Sequence, residues 1–202
     1  MDCNCQGIDI IGIIQTILSV SSLVVAWRIP VRIMQNQRYE NLLQEYMGND
    51  YAEALEGVID FYVETCKSNV DLIAIEYNKL FNQKGKNNSE EDKNSEKNKN
   101  LQEDKFLKLH NQRRLLSYFF WQLNSCAKDS PSLRRKIKKE FTVNEAYICK
   151  ILICMNKVLE DNPKIFKDIS SIKYEKISGI RGINKSLFDF HNLLKNQNRW
   201  SD

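Results

Sequence analysis

His110, Arg113 and Arg114 stand at i, i+3 and i+4 in "LHNQRRLL", a spacing that sets an imidazole and two guanidiniums on one side of a helix. Such a trio suits a phosphate or carboxylate, because the planar guanidinium fork matches two oxygens of an oxyanion. Catalysis asks for more. A nucleophile elbow, a glycine-rich phosphate loop or a paired-carboxylate site would each leave a recognisable pattern, and none is present in the 202 residues. Two histidines and six cysteines without a Cys-x-x-Cys pair exclude an ordinary zinc centre, so no metal and no cofactor are expected. The chain reads as a non-enzyme. The trio is then a contact for an anion or partner, or it pairs with carboxylates of a neighbouring helix such as Asp60 or Glu64.

A second cluster lies in "SPSLRRKIKKEF", where Leu133, Ile137 and Phe141 recur every four residues and Arg134, Arg135, Lys136, Lys138 and Lys139 fill the positions between. A basic run of this kind can track nucleic acid, but it lacks the interleaved aromatics on which bases stack. It also suits an anionic membrane surface, where each basic residue contributes on the order of 1 kcal/mol. A plain solvated helix face is the third reading.

The elements that carry these clusters are helical. Three Pro and seven Gly are few for a strand-and-turn architecture. Asp50 is placed to start an amphipathic helix with Tyr51, Leu55, Val58, Tyr62 and Cys66 on one stripe, and a break is expected near Ser68-Asn69. From Asn82 to Lys105 the only large apolar residue is Leu101, amid charges of both signs, which reads as a disordered, solvated linker. Ser130 followed by Pro131 is an N-cap signature, and Thr142 with Glu145 is a capping box. "EAYICKILICMNKVLED" is apolar almost all round and belongs at the centre of a bundle. After Pro163 the pattern is irregular until Ile183, Leu187, Phe190 and Leu194 mark a closing helix. Cys66, Cys126, Cys149 and Cys154 fall in apolar helical stretches, as small hydrophobes of a reduced compartment do.

Ahead of all this stands "IDIIGIIQTILSVSSLVVAWRIPVR", against a mean hydropathy of −0.50 for the whole chain. From Ile10 to Trp27 no residue is charged, and about twenty helical residues cover the roughly 30 Å of bilayer hydrocarbon. A cleaved signal would carry its positive charge ahead of the apolar run, whereas here Arg28, Arg32 and Arg38 follow it and Asp2 and Asp9 precede it. The positive-inside rule then places the N-terminus outside and the remainder in the cytoplasm, with Trp27 at the interface and Pro30 at the exit. Cys3 and Cys5 would lie in the outer tail. Within the span Gly12, Gln15, Ser19, Ser22 and Ala26 recur at spacings of three and four, a stripe of small and hydrogen-bonding residues that lets helices associate in lipid.

"YAEALEGVIDFYVETC" (Tyr51 to Cys66) and "LHNQRRLLSYFFWQL" (Leu109 to Leu123) resemble two helices of the DUF4760-type helical proteins, small single-span bacterial proteins of uncharacterised function. The resemblance covers about 80 residues, implies an N-terminal anchor and a cytoplasmic helical domain, and brings no activity. The C-terminal fifth stands outside it.

The expected organisation is all-α: a tail and transmembrane anchor over 1–29, a juxtamembrane helix and the first helices of a cytoplasmic antiparallel bundle over 30–81, the charged linker over 82–105 and the remaining helices over 106–202. The expected role is a protein-interaction or self-assembly module at the inner face of the cell membrane. The alternatives are an oligomerising membrane effector of toxin or phage-defence type, and a tethered RNA-binding domain.

Overall fold

A computed structural model describes residues 10–86, 95–161 and 173–195, with side chains over 13–80, 104–161 and 179–195. The described residues are all-helical. In order they form α1 (Ile10–Tyr46), α2 (Asn49–Asp60), a π-helical turn (Phe61–Thr65), α3 (Val70–Lys86), α4 (Ser95–Asp129), α5 (Pro131–Glu140), α6 (Val143–Asp161) and α7 (Lys173–Lys195). Backbone at Gly179, with φ 63° and ψ 162°, breaks α7 near its start, a left-handed conformation that costs glycine little.

Local signals set the boundaries well. Ser130 takes extended backbone and accepts from Leu133 N at 3.5 Å, with Pro131 at the first helical position. At the start of α6, Asn144 N donates to Thr142 Oγ1 (3.2 Å) and Thr142 N donates to Glu145 Oε2 (2.7 Å), the reciprocal bonds of a capping box. The break after α2 falls where expected: Lys67 and Ser68 take positive φ, and Asn69 Oδ1 receives Asp71 N at 2.9 Å. Its π-helical approach has no sequence signature. Gly48, rather than Asp50, is the N-cap of α2, and Asp50 sits in the first turn, where its charge complements the helix dipole.

Two expectations are corrected. No break separates an anchor from a juxtamembrane helix, because α1 runs unbroken for 37 residues through Pro30. The segment 82–105 is mostly helix: α3 continues to Lys86 and α4 begins at Ser95, leaving 87–94 outside the described residues. Glu, Lys and Gln are good helix formers, so a polar composition there does not preclude helix. Cys3, Cys5 and 162–172 also lie outside the described residues.

Packing fixes the direction of each helix. Tyr46 of α1 stacks on Phe119 of α4 (centroids 4.6 Å apart, planes at 7°), while Arg38 meets Asp129 at 3.9 Å, so α1 and α4 are antiparallel. Gln112 Nε2 donates to Glu53 O at 3.0 Å and Tyr51 packs edge-on to Phe119, which makes α2 antiparallel to α4 as well. The pairs Asn124–Ser186 and Lys128–Asp189 set α7 parallel to α4, and Asn184–Glu160 with His191–Ala146 set it antiparallel to α6. Against the central α4, helices α1 and α2 therefore run antiparallel and α7 runs parallel. As its composition foretold, α6 is buried nearly all round, from Ala146 to Leu159.

Candidate functional site

The trio is in the core. His110, Arg113 and Arg114 are 2%, 0% and 5% exposed. His110 Nδ1 shares a hydrogen bond of 3.0 Å with the Tyr77 hydroxyl on α3. Arg113 Nη1 donates to Asn156 Oδ1 on α6, and Asn156 Nδ2 donates back to Ser117 Oγ at 3.3 Å. About two turns beyond Ser117 along α4, Asn124 Nδ2 donates to Ser186 Oγ of α7 at 2.7 Å. A row of polar side chains thus follows the buried side of α4 and ties it in turn to α3, α6 and α7. The acceptor shown for Arg113 is the Asn156 amide. Arg114 lines a groove of about 410 Å³ between α2 and α4, with Asp50, Glu53 and Lys108 on the same lining. These residues hold helices together. Nothing about Asn156 or Tyr77 in the sequence marked them as partners, since they lie 43 and 33 residues away.

The four described cysteines are buried or half-buried and free. Burial pushes the Cys66 thiol up to about 11, and Cys149, fully buried, is raised well above its ordinary value. Thiols held protonated this way are poor nucleophiles. Among the described residues no cluster of three or more His, Cys, Asp or Glu has the arrangement of a metal site.

The basic cluster is at the surface. Leu133 and Ile137 anchor α5 in the core, Arg134, Arg135, Lys136 and Lys139 are exposed, and Lys138 is half-buried. Lys136 bridges to Glu40 of α1 and lies over the Tyr39 ring, 5.1 Å from its centroid. The Tyr39 hydroxyl, buried beneath, donates to Glu140 Oε2; burial and that carboxylate together hold the phenol far above its ordinary value. Beside α5 a cleft of about 440 Å³ opens between α4, α5 and α7, lined in part by Lys128, Arg134, Asp189 and Asn192.

The third feature is α1. Over its best window the mean hydropathy is 1.5 and no residue is buried, so one N-terminal helix is long and apolar enough to cross a membrane and is not a core helix of the bundle. Ile17, Leu18, Leu23 and Trp27 are all 60% exposed or more. Ser19, Ser21 and Ser22 bond their hydroxyls to carbonyls one turn back, at 2.9, 2.5 and 2.8 Å, which satisfies them without water. Gln15, Ser19, Ser22 and Ala26 are uncovered, and Gly12 continues their line. Burial begins only at Tyr39 and Leu42, with Leu43 and Tyr46 partly covered.

Comparison with models of protein families finds no match, and no curated protein and no solved structure matches the chain significantly.

Proposed function

We propose that this is a single-span, non-enzymatic protein that assembles with itself, or with another membrane protein, through α1 and presents its helical domain at the cytoplasmic face of the cell membrane. The observation that carries the reading is the continuity of α1, whose uncovered apolar half and domain-packed half are one helix. Orientation follows from Arg28, Arg32 and Arg38 on the domain side of the apolar run.

Assembly is supported by where the stripe points. On the 3.6-residue repeat, Gly12, Gln15, Ser19, Ser22 and Ala26 face roughly opposite to Tyr39, Leu42 and Tyr46. The line continues through Gln37 and Gln44, both exposed. Two copies meeting along this line would keep their domains on the outside, without collision. The test is recovery of differently tagged copies from membranes of one cell. The expected result is co-purification of the full chain, lost on G12L together with S19L while alkaline carbonate still leaves each protein in the membrane pellet. Undiminished co-purification of the variant would remove the stripe from the reading, and extraction of the full chain by carbonate would remove the anchor.

A further inference from the structure

We propose that the outer face of α5, carried by Arg135 and Lys139 with Arg134 and Lys138 beside them, rests on anionic phospholipid headgroups where α1 leaves the bilayer. The inference rests on the reading of α1 as a span.

Direction comes first. Because α4 is antiparallel to α1, its C-terminal end at Asp129 points back toward the apolar stretch of α1. Helix α5 follows at once and closes that end of the bundle. Asp129 before it, Lys136 within it and Glu140 at its end all meet α1 inside one turn, at Arg38, Glu40 and Tyr39. A ten-residue helix held at both ends by one turn of another crosses it rather than running beside it.

Rotation about the α5 axis comes next. Leu133 and Ile137 point into the bundle, and Lys136 and Glu140 occupy the flank against α1. At about 100° per residue, Arg135 and Lys139 point away from the buried pair, outward from the bundle end and along α1 toward its apolar half. Arg134 and Lys138 take the remaining flank.

Height agrees. Ile33 and Met34 are the last exposed apolar residues of α1 before Arg38. From Met34 to Arg38 the rise is about 6 Å, and from Arg28 it is about 15 Å. A headgroup layer is roughly 5–8 Å thick on each side, and the Debye length at physiological salt adds about 8 Å of electrostatic reach.

Charge then selects the occupant. Of the acids nearest α5, Asp129 pairs with Arg38, Glu40 with Lys136 and Asp189 with Lys128, while Glu140 accepts from the neutral Tyr39 hydroxyl and keeps its single charge against four bases. Arg134, Arg135, Lys138 and Lys139 have no ion pair among the described residues, so the bundle end is left with uncompensated positive charge. Tyr39, under Lys136, and Phe141, next to the run in sequence, are both buried, so neither offers bases a stacking platform. A flat, negatively charged leaflet facing the bundle end fits this surface.

The experiment uses the full chain in vesicles of phosphatidylcholine alone and of phosphatidylcholine with phosphatidylglycerol, treated with the uncharged reagent acetic anhydride and read by peptide mass spectrometry. Lys157, exposed four turns further along α6 from the bundle end, serves as the internal reference. The expected result is acetylation of Lys139 slowed about fivefold relative to Lys157 on the anionic vesicles only, with the difference lost in high salt and reduced by R134Q together with R135Q. If the chain floats with both kinds of vesicle and Lys139 reacts equally fast on each, the lipid contact is wrong and the anchor stands. A chain that fails to float would overturn the anchor and this contact with it. Protection of Lys139 by an RNA oligonucleotide and not by anionic lipid would overturn the contact in favour of nucleic acid.

Discussion

Asn156 shows what a single buried amide does here. It accepts from a guanidinium that is fully buried and donates to Ser117, so replacing it with Leu withdraws an acceptor from a charged donor inside the core. The expected cost of N156L is about 2–3 kcal/mol, a fall in Tm of roughly 5–10 °C in thermal unfolding followed by circular dichroism. N156D should cost far less, because a carboxylate also accepts from Arg113. Protonation adds a second test at this scale. Burial pushes the Cys66 thiol from 9.0 up to about 11 and the Tyr46 phenol from 10.0 up to about 12. The unfolded chain releases these protons first, so stability is complete at neutral pH and declines as pH rises through 9 toward 12. Urea midpoints in detergent should stay level up to pH 9 and then drop; a level midpoint throughout would mean these groups are open to water in solution. The trio of His110, Arg113 and Arg114 was legible as a cluster because its spacing is local. Its burial was not, since the side of α4 that turns inward is decided by Tyr77 and Asn156, residues remote in the chain.

At the scale of elements, the caps were the most legible part of the sequence, because Ser130 with Leu133 and Thr142 with Glu145 interact across three residues. E145A removes the acceptor that both Thr142 N and Thr142 Oγ1 use, and should cost about 1 kcal/mol, measurable as a shift in the urea midpoint at unchanged slope. The long charged segment misled for a physical reason. Composition reports how little surface a segment can bury, whereas helix continuity across 82–86 and 95–105 draws on backbone propensity and on extension from helices already anchored at Tyr77 and Phe106. The π-helical turn at Phe61–Thr65 stayed hidden because it answers to tertiary contacts, with the Tyr62 hydroxyl bonded to Ser68 O and Tyr147 at once.

At the scale of the molecule, the apolar run announced a helix able to span a membrane, but not that the same helix would continue into the bundle. That continuity depends on Tyr39, Leu42 and Tyr46 finding α4 and α5, and the contact of Tyr39 with Glu140 spans 101 residues. It makes a rigid connection, and inserted residues test it. Between Met34 and Arg38, two alanines turn the domain by about 200° relative to the stripe, while seven turn it through nearly two full circles and lift it by about 10 Å. With Cys3 and Cys5 replaced by Ser, Q44C should crosslink between copies in the parent and the seven-residue insertion and not in the two-residue insertion. Equal crosslinking in all three would mean that α1 is hinged. On the proposed reading of α1 as a span, an unhinged α1 gives the domain a fixed compass bearing about the membrane normal: whichever side of the span meets a neighbour decides which side of the domain looks outward.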